Sequence, residues 1–466
     1  MAIISRIKNL LLLVSALLIL HLILLLHHHH PITTPPPPPP PPTTTFLSPS
    51  NLLFSISSSS SSLRHRTPYI HLWFSPQSTP HTYLFIDQKL PSNFSPPSSS
   101  LSLPQIFLSS DTSHFSYTFP RGNPSAIRIA YTVKDVFSLL NPPSHIKWFI
   151  FGDDDTVFFP RNLALVLSKY DYNKWFYIGF GSESYEQNQQ FSFDMAYGGG
   201  GFALSAPLAR VLAVVLDSCL LRYPHYYGSD QRIFACLVEL GVHLTREPGF
   251  HQIDVRGDLF GILAAHPLSP LLSLHHMDAV EPIFPGMSRI QALEHLFKAV
   301  NADAPRILQQ TVCYDRSNSW TISISWGFSI QVFEGNQLLP DLLSLERTFR
   351  PWRRGQSAYS SRFMVNTRES PRDRCKRPVL FFLHKVMSDG KSIWTNYTKD
   401  KVGSCVRVNA LQKLESIRIF SKILDYDVEQ MKAPRRQCCD ILSPVNETMT
   451  IDIRQCRNDE LIAMPR

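Results

Sequence analysis

The segment that most constrains the fold is a short apolar run that ends in three consecutive carboxylates. The residues from Trp148 to Phe151 are all apolar, and Gly152 leads into Asp153, Asp154 and Asp155. An apolar run of this length is typical of a strand that is buried on both faces of a parallel sheet. Because open α/β sheets bind ligands at the carboxyl ends of their strands, the three carboxylates are predicted to lie at a ligand site. The alternative is an acidic turn that caps the following helix.

Three acidic side chains this close repel one another, and a divalent cation would neutralise them. Oxygen ligands suit Mn²⁺ or Mg²⁺, and such a cation can stabilise a nucleotide diphosphate as it leaves. A neutral imidazole from His251 or His275 could complete the metal shell. Histidines that only make structural hydrogen bonds are the alternative for either residue.

The pattern around that strand alternates between helices and strands. Helical spacing predicts helices over residues 126–140, 162–170, 208–223 and 229–240, the last capped by Ser229. Apolar runs predict strands over residues 52–56, 82–86, 146–151 and 175–180. This alternation predicts an α/β fold with a mainly parallel sheet. Beyond about Asn301 the pattern changes, because residues 320–333 alternate as strands do and six of the eight cysteines lie from Cys313 onward. We therefore expect a β-rich, disulfide-containing module there.

Two further segments carry candidate chemistry. The four glycines Gly198, Gly199, Gly200 and Gly201 have no Cβ, so the backbone can approach a ligand closely. No phosphate-loop pattern accompanies them, and a flexible turn is the alternative. Asp230 lies in the first turn of a predicted helix, where a carboxylate can act as general base or simply cap the helix.

The N-terminus predicts a membrane anchor. Arg6 and Lys8 precede an apolar run over residues 10–26 that has no clear signal-peptidase site, which favours an anchor over a removable signal peptide. Positive charge before the span places residues 1–9 in the cytosol and everything downstream in the lumen. Residues 27–50 contain an unbroken run of eight prolines and are predicted to be a stem.

Cysteines, sequons and charge agree with a lumenal position. The eight cysteines show no zinc-binding spacing, so disulfides are expected, although their pairing cannot be assigned. Asn93, Asn396 and Asn446 begin N-glycosylation sequons. The net charge is +8, and the basic residues are densest over residues 347–377. This pattern favours a solvated basic face over a site for nucleic acid or another anionic polymer. No nucleic-acid partner is expected.

In chain order, these segments resemble the plant fringe-like family of β-1,3-glycosyltransferase-related proteins, a former domain of unknown function related to glycosyltransferase family 31. The match runs from about Asn51 to Cys456. Its most specific pieces are the motifs over residues 152–156, 197–202, 227–230, 248–252 and 273–276.

The resemblance implies a GT-A fold over residues 51–300, followed by the β-rich module over residues 301–466. It also implies a UDP-sugar donor, Mn²⁺, transfer of the sugar to a glycan or glycoprotein hydroxyl with inversion, and a single-pass type II position in the Golgi membrane.

Site residues carry over motif by motif. The resemblance makes Asp153 and Asp155 metal and diphosphate ligands, with Asp154 beside them contacting the donor. Asp230 matches the catalytic base of fringe proteins. Arg128 falls where related enzymes carry a basic residue near the donor. Either His275 or His251 would supply the histidine of the metal shell.

The chain departs from its relatives in the first strand. A glycine-alanine-rich strand and a basic segment are replaced by Phe54 to Ile56, a serine run, and Leu63 to Arg66. That region would help to hold the nucleotide, so a non-catalytic carbohydrate-binding or assembly partner is the rival hypothesis. A metal-dependent phosphoesterase would need a second carboxylate-histidine cluster, and the sequence has no such spacing.

Overall fold

The structure is a computed structural model that describes residues 2–27, 46–91, 94, 102–355, 361–401, 410–425, 427–442 and 447–462. The chain forms an N-terminal unit up to Thr45 and a compact unit over Phe46–Arg466. The N-terminal unit contains helix α1 (Ala2–His27), whose segment Ser5–Leu24 is long and apolar enough to cross a membrane. The helix therefore begins before the predicted span and includes Arg6 and Lys8. Residues 28–45 of the predicted stem lie outside the described residues.

The first part of the compact unit alternates strands and helices. In chain order its strands are β1 (Leu52–Ser57), β2 (Thr82–Ile86), β3 (Gln105–Leu108), β4 (Trp148–Asp153), β5 (Val157–Phe158), β6 (Tyr177–Gly179), β7 (Phe202–Ser205), β8 (Leu244–Arg246), β9 (Phe250–His251), β10 (Val255–Gly257) and β11 (Ser273–Leu274). Its helices are α2 (Leu63–Trp73), α3 (Ser125–Leu140), α4 (Pro160–Leu167), α5 (Tyr185–Gln190), α6 (Ala206–Leu220), α7 (Ser229–Glu239), α8 (Phe260–Ala264) and α9 (Arg289–Ala302). The predicted elements are confirmed, with ends that differ by a few residues. Ser229 is the first residue of α7 and Gly228 is its cap, so the predicted cap was wrong by one position.

A seven-stranded sheet in the order β3-β2-β1-β4-β7-β6-β8 forms the centre of this part. Strand β7 runs antiparallel to β4 and β6, and the other neighbours are parallel. The prediction of a mainly parallel α/β sheet is confirmed. Strands β5, β11 and β9 form a small separate sheet.

Burial on both faces explains the apolar run of β4. Phe149 and Phe151 pack in the cluster that includes α3 and α6, whereas Trp148 and Ile150 pack in the larger core cluster on the other side. Successive side chains of a strand point to opposite faces, so a strand covered on both faces needs an apolar residue at every position. The run ends where the strand leaves the core, at Asp153.

The second part is rich in strands. They are β12 (Gln310–Asp315), β13 (Trp320–Ser325), β14 (Ser329–Glu334), β15 (Leu345–Glu346), β16 (Phe349–Pro351), β17 (Thr367–Arg368), β18 (Val379–Ser388), β19 (Ser392–Lys399), β20 (Ser416–Lys422), β21 (Cys438–Ile441) and β22 (Thr448–Arg454). Helices α10 (Leu339–Leu343), α11 (Ala410–Lys413) and α12 (Val428–Lys432) are short. An eight-stranded sheet has the order β12-β13-β14-β18-β19-β20-β22-β21, which confirms the predicted β-rich module.

The two parts are not separate bodies. Core residues of β4 and β13 belong to one continuous cluster, and β10 pairs with β16 across the two parts. The predicted boundary near residue 300 falls in the last turn of α9. The second part can therefore contribute side chains to a site that is built mainly on the first.

Disulfides are confirmed. They join Cys219 to Cys236, Cys313 to Cys439, and Cys438 to Cys456. Cys375 is also disulfide-bonded, and Cys405 lies outside the described residues. The first bridge ties α6 to α7, the helix that carries Asp230. Of the sequon asparagines, Asn396 lies in β19, and Asn93 and Asn446 lie outside the described residues.

Candidate functional site

The acidic motif lies at the carboxyl end of β4. Asp153 is the last residue of the strand, and Asp154 and Asp155 form the turn before β5. The Thr156 hydroxyl fixes this turn, because it accepts a hydrogen bond from the Asp153 amide at 2.9 Å and donates to the Gly199 carbonyl at 2.7 Å. The motif and the glycine-rich segment are thus held side by side.

His275, the residue directly after strand β11, lies beside the acidic motif. Its Nε2 lies 3.1 Å from an Asp155 carboxylate oxygen and 3.9 Å from one of Asp153. One candidate ligand atom from each of the three residues lies within 4.8 Å of the others, so the group could hold a metal ion. We call Asp153, Asp155 and His275 the carboxylate-histidine group.

The charges of this group are crowded, with Asp155 and His275 buried and the Asp153 side chain partly exposed. Burial raises the pKa of Asp153 to about 7, with the neighbouring carboxylates adding to the rise and His275 opposing it. Burial also acts to raise the pKa of Asp155, but His275 and Arg66 outweigh it and hold that pKa below its ordinary value. Burial acts to lower the pKa of His275, yet the two carboxylates raise it to about 9. The two carboxylates therefore stabilise positive charge placed beside them, as the raised pKa of His275 shows.

His251 lies in a different network. Its Nδ1 is 3.0 Å from a Glu183 oxygen and its Nε2 is 2.9 Å from the Nε2 of His266. The other Glu183 oxygen accepts from the Ile253 amide at 2.7 Å. Both ring nitrogens of His251 thus have partners, Glu183 and His266, that do not belong to the acidic motif. Of the two histidines that the sequence left open, the structure places His275 beside the acidic motif and His251 apart from it.

Asp154 turns away from the carboxylate-histidine group. It accepts hydrogen bonds from the hydroxyls of Ser58 at 2.7 Å and Ser62 at 2.9 Å. Arg128 of α3 also contacts Ser58, because its guanidinium donates to the Ser58 carbonyl at 2.9 Å. The serine run that departs from the relatives therefore binds two of the residues predicted to lie near the donor.

Arg66 and Asp278 also lie at the carboxylate-histidine group, although the sequence analysis proposed neither as a site residue and placed Arg66 only in the segment expected to help hold the nucleotide. The Arg66 guanidinium lies 2.9 Å from a carboxylate oxygen of Asp155 and 2.9 Å from one of Asp278. A permanent positive charge therefore stands directly beside the carboxylate-histidine group. Only the three-dimensional fold reveals this, since α2 and the segment after β11 are far apart in sequence.

The glycine-rich segment packs tightly against the site. A Cβ at Gly199 would lie 2.2 Å from the Cε1 of His275, and the Gly200 amide donates to the Gln252 side chain at 2.5 Å. Gly201 has a φ of +86°, a conformation that side chains disfavour. At Gly199 the missing Cβ is what lets His275 reach the carboxylates.

Replacing Gly199 by alanine should displace His275 and destabilise the fold by about 1–3 kcal/mol, because the new methyl group overlaps a buried ring. Gly198→Ala is the matched control, since its Cβ would lie 3.6 Å from Asp230 in ordinary contact. Thermal unfolding and Mn²⁺ titration of both variants measure the effect. Equal behaviour of the two variants would contradict this account of Gly199.

Asp230 faces the same cavity as Asp153 and His275. It lies in the first turn of α7, accepts from the Gly198 amide at 3.1 Å and from the Ser229 hydroxyl at 2.9 Å, and is therefore held in place. A cavity of about 630 Å³ is lined by Asp153, His275 and Asp230 together. The candidate base Asp230 thus borders the same space as two of the three candidate metal ligands, Asp153 and His275.

The second part of the chain completes the cavity wall. Trp352, just beyond β16, stacks on His276 with ring centroids 4.4 Å apart and an interplanar angle of 15°. The His276 ring lies 3.8 Å from that of His275. Arg256 lies 4.3 Å from the centroid of the Trp352 ring and donates to its carbonyl at 2.8 Å. This stack connects the C-terminal part to the carboxylate-histidine group, and sequence reasoning missed it by assigning residues 347–377 to a solvated face.

Comparisons with known proteins agree with the motifs. The sequence matches the family described as "Protein of unknown function, DUF604" over residues 187–439 and the family described as "Fringe-like" over residues 105–257. Among solved structures, the chain is similar to a glycosyltransferase involved in the glycosylation of the major capsid of PBCV-1, at 12% identity and a TM-score of 0.27, covering 52% of this chain and 98% of that chain. No curated protein sequence matches the chain.

The acidic motif lies within the Fringe-like match, Asp230 lies within both matches, and His275 and Trp352 lie within the DUF604 match alone. The DUF604 match spans more than half of the chain. The chain therefore belongs to the DUF604 family and is a fringe-like glycosyltransferase-related protein, as its motifs predicted.

Proposed function

We propose that this glycosyltransferase transfers a sugar with inversion from a UDP-sugar to a hydroxyl of a glycan or glycoprotein, with Mn²⁺ at the carboxylate-histidine group. The observation that carries the proposal is the shared cavity, because Asp153 and His275 border the same space as the candidate base Asp230. A β-1,3 linkage, as in the relatives, is part of the proposal.

The carboxylate-histidine group fits a divalent cation. Two carboxylates and an imidazole are ligands that Mn²⁺ accepts. The Nε2 of His275 is the ring nitrogen that lies beside both carboxylates, so it is the atom that would bind the cation together with the carboxylate oxygens. A bound Mn²⁺ would neutralise the charge that develops on the departing diphosphate.

Three residues of the chain would act on the donor. Arg66 stands next to Asp155 and supplies a permanent cation where the diphosphate would lie. Asp154 and Arg128 both bind Ser58, so we propose that they shape the donor side of the cavity through the end of β1. The serine run would in this way replace the glycine-alanine-rich strand of the relatives.

Asp230 would act as the base. The hydrogen bond from the Gly198 amide and that from Ser229 leave its carboxylate fixed at the cavity wall. As the acceptor oxygen attacks the anomeric carbon from the face opposite the diphosphate, Asp230 takes the hydroxyl proton, the bond from the anomeric carbon to the diphosphate oxygen breaks, and UDP leaves. Attack from the opposite face inverts the anomeric centre.

The test is Mn²⁺-dependent binding and hydrolysis of a panel of UDP-sugars by the full chain in detergent. We expect at least one UDP-sugar to bind only when Mn²⁺ is present. The rival, a lumenal carbohydrate-binding or assembly partner, predicts no hydrolysis above background for any donor. A chain that binds neither Mn²⁺ nor UDP would overturn the proposal.

We further propose that α1 anchors the protein in the Golgi membrane as a single-pass type II protein. The apolar segment Ser5–Leu24 supports this, as do the disulfides of the compact unit, because disulfides persist in oxidising compartments. Protease protection of the compact unit in intact microsomes tests the orientation.

Trp352→Ala should lower Mn²⁺ affinity about 10- to 100-fold, the usual effect of losing a group that orients a metal ligand. The physical reason is that His276 loses its stacking partner and His275, directly beside it, loses its fixed orientation. Trp352→Phe keeps an aromatic face and should restore most of the affinity. Calorimetric Mn²⁺ titration measures the affinity of each variant. If Trp352→Ala binds Mn²⁺ as tightly as the wild type, Trp352 does not orient His275 for metal binding.

A further inference from the structure

Three aromatic rings form one wall of the cavity near Asp230. Tyr227 stacks on Phe191 with centroids 5.5 Å apart and an interplanar angle of 19°, and Phe119 meets Tyr227 edge-on at 5.2 Å. All three residues line the cavity, and the Tyr227 residue is 44% exposed. We call Phe119, Phe191 and Tyr227 the aromatic wall. A tyrosine with this exposure, inside a concave site and supported from behind by another ring, offers a flat apolar surface to a ligand.

The wall is fixed before any ligand arrives. The Tyr227 amide donates to the Gln231 side chain at 3.0 Å, and its carbonyl accepts from the Tyr117 hydroxyl at 3.0 Å. Arg232 holds the next residue by donating to the Gly228 carbonyl at 2.8 Å. Because these bonds secure the backbone on both sides of Tyr227, little conformational entropy is lost when a ligand packs on its ring.

Neutral hydrogen-bonding groups surround the aromatic wall. The side chains that line the cavity beside it include Asn123, Gln187, Gln190 and Gln231. The amide oxygens of Asn123, Gln190 and Gln231 already accept hydrogen bonds from the protein, so their NH₂ groups remain to donate to the hydroxyl oxygens of a sugar. Flat rings for the C–H face of a pyranose, together with amides for its hydroxyls, match a saccharide. A peptide that pairs with a sheet edge would need main-chain hydrogen bonds rather than rings, whereas a Pro-rich peptide also docks on aromatic grooves, so peptides are the competing ligands in the test below.

We propose that the aromatic wall is the acceptor subsite and that the acceptor is a saccharide whose ring packs on Tyr227. The inference rests on the proposed function and names the class of its acceptor. Tyr227 lies three residues before Asp230 and both residues line the cavity, so a sugar packed on the Tyr227 ring would share that space with the Asp230 carboxylate. In the transfer, that hydroxyl oxygen gains the bond to the anomeric carbon, its proton passes to Asp230, and UDP departs.

The test is binding of the full chain in detergent, with Mn²⁺ and UDP, to an array of neutral and acidic oligosaccharides and of Ser/Thr-containing peptides. Tyr227→Ala should weaken binding to the preferred oligosaccharide at least about tenfold, which corresponds to about 1.4 kcal/mol. Tyr227→Phe keeps the ring and should bind nearly as the wild type does. Trp394→Ala is the matched control, because Trp394 is an aromatic residue of β19 with 42% exposure and is not among the residues that line this cavity.

Each outcome decides the question. Oligosaccharide binding that falls in Tyr227→Ala but not in Tyr227→Phe or Trp394→Ala supports the inference. Binding to peptides alone, or equal oligosaccharide binding by wild type and Tyr227→Ala, overturns it.

If oligosaccharide binding depends on Tyr227 but no UDP-sugar is hydrolysed or transferred, the proposed function fails and the saccharide subsite stands. If transfer occurs only to peptides, the proposed function stands and the subsite fails. Where transfer to a saccharide is measurable, the acceptor KM should rise in Tyr227→Ala with a smaller change in kcat.

Discussion

Asp155→Asn is expected to abolish Mn²⁺ binding and, with it, sugar transfer. Asp155 is the member of the carboxylate-histidine group that lies 3.1 Å from His275. Its pKa lies below the ordinary value, because His275 and Arg66 outweigh the effect of burial, so the native carboxylate carries a full negative charge at neutral pH. Asparagine keeps the shape and removes that charge. Loss of a direct ligand should reduce Mn²⁺ affinity by more than the roughly 10- to 100-fold typical of a supporting partner.

Mn²⁺ titration by calorimetry and a UDP-sugar transfer assay measure the effect. Asp153→Asn is a second test of the same group, since the Asp153 side chain is 36% exposed and its replacement disturbs the packing less than a change at Asp155. Asp217→Asn is the control, because it removes one negative charge from α6 on the surface. If Asp155→Asn and Asp217→Asn bind Mn²⁺ equally well, the carboxylate-histidine group is not a metal site.

Local patterns were sufficient to predict the elements that carry the site. Strand β4 is recognisable in the sequence because a strand that is buried on both faces needs an apolar residue at every position. The acidic residues mark the point where the strand leaves the core. The start of α7 was predicted to within one residue, since glycine and serine both favour a helix N-terminus. Both features depend only on neighbours in sequence.

The choice between two histidines could not be predicted, because it depends on the register of two parallel strands. Leu274 of β11 pairs with His251 of β9, and His275 is the next residue after Leu274. Successive side chains point to opposite faces, so His251 and His275 face different sides of this small sheet. One side holds the acidic motif and the other holds Glu183 and His266. No local pattern in either motif encodes that register.

The role of the serine run also depends on distant contacts. The sequence predicted a strand over residues 52–56, and β1 extends from Leu52 to Ser57 and is buried throughout. The hydroxyls of Ser58 and Ser62 then bind Asp154. A hydroxyl pair can compensate the charge of a carboxylate by hydrogen bonding, which explains why polar residues are tolerated next to a buried strand. The departure from the relatives is therefore compatible with an intact acidic motif.

Asp230→Asn is expected to lower transfer about 10²- to 10⁴-fold, the usual contribution of a general base. Asparagine can still accept the hydrogen bond from the Gly198 amide, which in the native protein is 3.1 Å from Asp230, so the fold and the cavity should be preserved. Because Asp230 is not one of the carboxylate-histidine group, Mn²⁺ and UDP affinities should stay close to those of the wild type. The variant thus separates donor binding from chemistry, which the Asp155 variant cannot do.

Transfer rates and UDP-sugar affinities of wild type, Asp230→Asn and Ser229→Ala decide the role of Asp230. Ser229→Ala removes only the hydroxyl that donates to Asp230 at 2.9 Å, so its rate should fall far less than that of Asp230→Asn. An Asp230→Asn variant with the wild-type transfer rate would remove Asp230 from the mechanism while leaving the metal site untouched. If wild type and Asp230→Asn bind UDP-sugar equally and both turn it over only at background, the chain is a carbohydrate-binding relative that kept the donor site and lost the reaction.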